Sequence, residues 1–309
     1  NIMKENINFL YCFDSNYNIQ AFTSIISLLT NTSKKINIYV LHNEDNFYSQ
    51  VPKKILNHKN LSSLTSYQFN DYKHDFPNIN NVHISVATYF RLFIQNYLPK
   101  NEKVFVFLDP DVVCIQDPVK EIQNTIKKLN NSEFTIAAKT EHISGEERIN
   151  VTDKYFNAGV MVIDFEKWQK KDFHERLINK LKDLKNNIVH WDQDVLNSML
   201  NGNYLELGEV LNFKAATKIS KKSKAEVVFI HYIGSHKPWL TSGMFQKDAN
   251  YYHLNFRNIS KDSFHILHKW KVKSMIDFLI AIFTLKILRL NKPLVFIFEF
   301  VISFFKDKK

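Results

Sequence analysis

The sequence predicts an α/β fold, with a mainly parallel central sheet in one large domain and a basic helical tail behind it. Short apolar runs alternate with helix-like patterns over most of the chain. The 309 residues are 45% apolar and include 26 Phe, which is enough to build a sizeable core and excludes a disordered chain. The net charge of +10 is uneven: residues 256–309 hold eleven Lys/Arg against four Asp/Glu, so the body is nearly neutral.

Residues 7–13 read as a buried strand ending in the polar turn Asp14-Ser15-Asn16. A helical pattern covers 19–29, a second strand 36–41 and a short helix 51–57, and 64–69 is a weak third strand. The pattern over 86–95 is helical and closes at Leu98-Pro99, since proline stops a helix. Residues 103–108 form a strongly apolar strand. Further strands fall at 134–138, 159–164 and 227–232, with helices over 166–184 and 192–200. No repeat or long linker interrupts the series, so residues 1–255 read as one domain and 256–309 as a separate C-terminal region.

That region holds two apolar runs, 275–288 and 294–305, interrupted by Asp277, Lys286 and Glu299. Both fall short of the roughly 20 residues a spanning helix needs. Flanking Lys269, Lys271, Lys273, Lys306, Lys308 and Lys309 suit a helix pair lying on an anionic membrane surface. A helical subdomain packed on the body is the other reading. A nearly neutral body argues against a nucleic-acid partner. Residues 1–6 are polar and the apolar stretch after them is short, so no signal peptide is read there. Cys12 and Cys114 sit in apolar runs and read as buried free thiols. These features favour the cytoplasm, at the inner face of the membrane.

The sharpest chemical feature is Val104-Phe-Val-Phe-Leu-Asp109-Pro-Asp111, a buried strand that ends in two carboxylates. Ligands of α/β sheets bind beyond the carboxyl ends of the strands. Two acids with one residue between them can face one hard cation, Mg²⁺ or Mn²⁺, or can be merely solvated on a turn. The six glycines form neither GxGxxG after the first strand nor a GxxxxGK[ST] loop. Cations must therefore balance any bound diphosphate. His231-Tyr-Ile-Gly234-Ser-His-Lys237-Pro-Trp239 supplies candidates: His231 as a nitrogen ligand, which makes Mn²⁺ more plausible than Mg²⁺, Gly234 for close backbone approach, and Lys237 as a charge. The same stretch reads equally as a surface turn with a packed Trp239.

Taken together, these motifs resemble the retaining glycosyltransferases of family 8, which include bacterial lipopolysaccharide galactosyltransferases and glucosyltransferases and, more distantly, glycogenin. Phe107-Leu-Asp109-Pro-Asp111 is similar to the family's DxD loop, and Tyr155-Phe-Asn157-Ala158-Gly159-Val160 to its FNAGV segment. Trp191-Asp192-Gln193-Asp194-Val195-Leu196-Asn197 resembles its DQD-x-LN helix start, and His231-x-x-Gly234-x-x-Lys237-Pro-Trp239 its HxxGxxKPW signature. His83-Ile-Ser-Val-Ala-Thr-Tyr-Phe-Arg91 precedes them. Each motif is modestly specific, and their order is much more so.

The resemblance implies a single Rossmann-like domain of GT-A type. It implies that Asp109, Asp111 and His231 bind Mn²⁺, with Mg²⁺ as the substitute. Cys12, Asp14, Asn16 and Tyr17 would hold the nucleotide, and Pro110 would lie near the ribose. Gly234 and Lys237 would bind the diphosphate. Arg91 would reach the donor's phosphate or sugar, or else form an ion pair on its helix. Asn157, Ala158, Asp192 and Gln193 would line the sugar pocket, and Asp192 could also cap its helix. Glu141 stands where the family more often carries Asp. The implied reaction moves galactose or glucose from a UDP-sugar to a saccharide acceptor, of lipopolysaccharide or lipooligosaccharide core type. Gln193 lies nearest the reactive face, but an amide is a poor nucleophile, so a front-face route is expected, with Asp192 as the fallback nucleophile. A catalytically silent sugar-nucleotide or glycan binder on the same fold is an alternative class. A protein-glucosylating or self-glucosylating transferase is another.

Overall fold

Asn8 is the one polar side chain in Ile7–Phe13, and all seven residues are buried as strand β1. Such a strand can sit only inside a sheet covered on both faces. The computed structural model describes residues 6–77, 85–141, 154–185, 187–217 and 226–305. After β1 come helix α1 (Asn18–Asn31) and strands β2 (Ile36–His42), β3 (Leu61–Gln68), β4 (Val104–Leu108) and β5 (Val112–Cys114). Helix α2 (Val119–Asn130), strands β6 (Ile136–Thr140) and β7 (Phe156–Asp164), and helices α3 (Phe165–Lys170), α4 (Phe173–Leu184) and α5 (Trp191–Leu200) follow. The short strands β8 (Leu205–Glu206), β9 (Phe213–Lys214) and β10 (Phe229–His231) precede helices α6 (Ala249–Phe256), α7 (Lys271–Phe283) and α8 (Pro293–Phe305).

The main sheet runs β3-β2-β1-β4-β7-β6-β8, and a smaller sheet runs β5-β10-β9. In the main sheet β1–β2, β2–β3, β1–β4 and β6–β8 are parallel, while β7 is antiparallel to both β4 and β6. The fold is thus the expected mainly parallel α/β sheet. Apolar clusters cover both of its faces, one beneath α1 and α2 and the other beneath α4 and α5.

Several elements differ from expectation. The helix read over 166–184 is two, because Asp172 takes a left-handed backbone with φ 51°. Asp tolerates that conformation, and the break lets Trp168 and Phe173 pack at 5.0 Å between ring centroids. The helix read over 51–57 is the single turn Lys53–Leu56. The stretch 86–95 is mostly a 3₁₀ helix, Val86–Phe93. Strand β7 starts earlier than read, which puts Asn157 and Ala158 on the sheet. No element was read over α2, although its buried Val119, Ile122, Ile126 and Leu129 follow the helical period. Both cysteines are buried and free, as expected.

Candidate active site

The site forms where the two sheets meet. Leu108 ends β4 in the main sheet, Val112 begins β5 in the small one, and the turn between them carries Asp109, Pro110 and Asp111. The turn is held from both sides: Asp109 N–H donates to Gly159 O at 2.8 Å, and Tyr232 N–H donates to Asp111 O at 3.1 Å. Antiparallel pairing sets His231 opposite Val112, at the foot of the same turn. His231 Nε2 lies 3.2 Å from Asp111 Oδ1 and 4.0 Å from Asp109 Oδ2. One ligand atom from each of the three residues falls within 4.8 Å of the others, so the group could hold a metal ion. The donor chemistry fits one: Asp111 Oδ1 is buried and receives no aligned hydrogen bond.

Two glycines keep this geometry open. A Cβ on Gly159 would stand 2.1 Å from His231 Cε1 and 2.8 Å from Asp109 Oδ2. Gly234 has φ 82° and nothing within 4 Å of a Cβ position, so the backbone after His231 turns left-handed with its surface exposed.

Charged side chains ring the carboxylates. Lys237 Nζ donates to Asp111 Oδ2, and also to Tyr232 O at 2.7 Å. Burial opposes the charge on Asp111, yet the carboxyl is held below the usual carboxylate range, with the Lys237 ammonium the largest of the opposing causes. Arg91 is buried and held by three groups: Nη2 pairs with Asp109 Oδ1 at 2.6 Å, Nε with Asp192 Oδ2 at 2.9 Å, and Nη1 donates to Ala158 O at 2.7 Å. Its guanidinium also lies 4.1 Å over the Phe107 ring. These ion pairs reach the Asp109 turn and the helix that carries Asp192 rather than Arg91's own helix, and Arg91 also lines the cavity above the triad. Asp192 also accepts from Thr88, yet burial pushes its pKa up to about 6 against the opposing Arg91 and Thr88. It is not the helix cap: α5 begins at Trp191, after His190.

A cavity of about 690 Å³ opens above the triad. Of the residues singled out in the sequence, Cys12, Tyr17, Arg91, Asp109, Pro110, Asp111, Glu141, Asn157, Ala158, Asp192, Gln193, Gly234 and Lys237 line it. His231 is not among the lining residues; it is buried against the two carboxylates that are. Asp14 and Asn16 are not among the lining residues; Asp14 Oδ1 instead accepts from Asn16 N–H at 3.0 Å and shapes the turn after β1. Tyr17 meets Trp239 edge-on at 6.4 Å. Gln193 Oε1 accepts from Ala158 N–H at 2.9 Å, and Nε2 donates to Tyr155 Oη at 3.3 Å. Burial raises the Cys12 thiol well above its ordinary value, so it stays protonated. His83 of the sequence motif lies outside the described residues.

Sequence reasoning missed Thr88, Trp191, Asn212 and Lys214. Thr88, Trp191 and Lys214 line the cavity, and Trp191 holds a left-handed backbone with φ 47°. Asn212 is buried and contacts His231 Nδ1 at 2.9 Å. Its signal in the sequence was faint, a lone amide between Leu211 and Phe213.

A mainly parallel sheet delivers two carboxylates from a strand end and a second sheet joins a histidine to them, which is the arrangement that the resemblance to GT-A glycosyltransferases implies. The profile of Glycosyl transferase family 8 matches residues 8–243, and the chain belongs to that family. It is 28% identical over 278 residues to General stress protein A of Bacillus subtilis (strain 168), covering 81% of this chain and 93% of that one. It is also 28% identical over 272 residues to lipopolysaccharide 1,2-glucosyltransferase of Escherichia coli (strain K12), covering 82% of this chain and 78% of that one. Among solved structures, the galactosyltransferase LgtC in complex with donor and acceptor sugar analogs shares the fold with a TM-score of 0.68. That match has 20% identity and covers 86% of this chain and all of that one.

Proposed function

We propose that the protein moves galactose or glucose from a UDP-sugar to a saccharide hydroxyl with retention of anomeric configuration, and that the acceptor is a glycolipid of lipopolysaccharide-core type. The observation that carries this reading is the convergence of Asp109, Asp111 and His231 under a cavity that Asp192 and Gln193 also line. Family membership and the named activities of the relatives support the donor class. In this reading the triad holds Mn²⁺, since two carboxylates and an imidazole suit it better than Mg²⁺. When bound, the ion supplies Lewis-acid stabilisation to the leaving diphosphate.

The chain's own groups do the rest. Lys237 shares its charge between Asp111 and a donor phosphate, and Gly234 admits that phosphate to the main chain. Cys12, Tyr17 and Pro110 wall the nucleoside, and Asp14 and Asn16 shape the turn beneath it. Arg91 holds Asp192 in place to accept from sugar hydroxyls, with Asn157, Ala158 and Glu141 alongside. Gln193 is tethered to Ala158 and Tyr155, and its amide is no nucleophile. The acceptor proton therefore passes to the departing UDP oxygen on the same face, and Asp192 is the fallback nucleophile. UDP release measured with Mn²⁺ and UDP-galactose, UDP-glucose or UDP-N-acetylglucosamine tests this reading. Turnover is expected with one of the first two and is lost in Asp109→Ala and Asp111→Ala; full activity of those variants in EDTA overturns it.

The tail supports a peripheral membrane contact. No helix among the described residues is long and apolar enough to cross a membrane. Helices α7 and α8 bury Phe278, Ala281, Phe296 and Phe300 against Met244, Phe245 and Phe264. Their outer faces expose Val272, Ile276, Phe283, Leu294, Phe298 and Phe305. Lys271, Lys273, Lys286, Arg289 and Lys292 are exposed along the same region. Apolar bodies with a basic fringe suit an anionic bilayer surface. Lys306, Lys308 and Lys309 lie outside the described residues.

A further inference from the structure

We infer that Asn157 and Asn212 form a relay that fixes His231 in its Nδ1-protonated tautomer, leaving the Nε2 lone pair bare toward Asp109 and Asp111; its value to the enzyme rests on the reading of His231 as a metal ligand. A neutral imidazole carries one proton, and its partners decide which nitrogen holds it. On the Nε2 side stand Asp111 Oδ1 at 3.2 Å and Asp109 Oδ2 at 4.0 Å. Left alone, these acids would draw the proton to Nε2 and fill the lone pair that a cation needs.

The other side of the ring opposes them. Gly159 N–H can only donate, and it donates to Asn157 Oδ1 at 3.0 Å. Asn157 Nδ2 donates to Glu141 Oε2 at 3.2 Å, which orients the same amide the same way. Asn157 Oδ1 must then be the acceptor for Asn212 Nδ2, 3.1 Å away. That turns Asn212 Oδ1 toward His231 Nδ1 at 2.9 Å. An amide oxygen only accepts, so Nδ1 carries the proton. Asn157, Asn212 and His231 are all buried, so water competes poorly for these groups. A main-chain N–H thus sets a ligand's lone pair through two amides, and Asn212 is a positioning residue.

The test is ¹⁵N NMR of histidine-labelled, metal-free protein at pH 8, where free imidazole is neutral, with His231 identified by the signal lost in His231→Gln. The expected ring has a protonated Nδ1 and a bare Nε2. Asn212→Leu is expected to release the tautomer toward Nε2–H and to weaken Mn²⁺ binding about 10–100-fold by titration calorimetry. Asn212→Asp, which keeps an acceptor at Nδ1, is expected to retain the Nδ1 proton. A wild-type ring protonated at Nε2 overturns the relay, and that measurement needs no variant to fold. So does an Asn212→Leu protein with unchanged tautomer and unchanged Mn²⁺ affinity. If the ring is Nδ1-protonated yet added Mn²⁺ leaves its signals unbroadened, the relay stands and the metal-ligand reading of His231 falls.

Discussion

A methyl group at residue 159 would meet His231 and Asp109 at once, 2.1 Å from His231 Cε1 and 2.8 Å from Asp109 Oδ2. Gly159→Ala must therefore push two of the three candidate ligands apart. We expect Mn²⁺ affinity to fall by about tenfold or more, with UDP release falling alongside. Titration calorimetry checks this, and wild-type affinity in the variant would show that the triad is not the ion's site. Arg91 makes a second residue-scale case. Arg91→Met leaves Asp109 and Asp192 without their shared cation, and we expect a loss of about 3–5 kcal/mol in urea unfolding. Asp109, Asp111, His231 and Gly159 were legible in the sequence because each stands in a motif. Asn212 was not, because a hydrogen bond to a residue 19 positions away leaves no local pattern.

At the scale of elements, α6 and the segment after it bring two histidines behind the Lys237-Pro238-Trp239 turn. His253 Nε2 donates to Pro238 O at 3.0 Å, and His265 Nδ1 lies 2.7 Å from Tyr252 Oη. Burial pushes both pKa values down to about 3, helped for His253 by neighbouring His265 and Arg257. The unfolded chain binds these protons near pH 6.5 and the folded one near pH 3, so between those values the unfolded state holds more protons. Stability is then full above pH 6.5 and drains as pH falls toward 3, by up to about 1.4 kcal/mol per pH unit for each histidine. Urea midpoints at pH 7.5 and 5.5 should show the drop. A smaller drop is expected in His265→Gln, and equal drops in the two proteins would remove His265 from the account.

Over the whole molecule, the packing of the tail bears on two readings that composition alone left side by side. Asp277 and Glu299, the acids that interrupt its apolar runs, face inward: Asp277 accepts from Thr241 Oγ1 at 2.9 Å, and Glu299 accepts from Ser263 N–H at 2.7 Å and Phe264 N–H at 2.8 Å. One face of the helix pair thus packs on the body while the other stays apolar and exposed. Removing everything after Lys261 would also take away Phe264 and His265, which are buried. A cleaner test is Ile276→Ser with Phe283→Ser, both at exposed positions. Sedimentation with anionic vesicles should fall at least several-fold while UDP release from the donor in the presence of a soluble acceptor is kept. Undiminished vesicle binding would put the membrane contact elsewhere.

Alternating apolar runs were enough to read the α/β class and most of the strands, because burial on both faces of a parallel sheet demands uninterrupted apolar stretches. Motif order was enough to read the family, because a carboxylate pair, an NAGV strand and a histidine turn must recur in one sequence to build one site. Long-range pairing decided the remainder. The antiparallel insertion of β7 beside β4 brings Gly159 to Asp109, and the second sheet brings His231 to Asp111. The engagement of Arg91 with Asp109 and Asp192, and the amide relay to His231, arise only there. Strand order and side-chain orientation are set by contacts between residues far apart in the chain, and no local period records them.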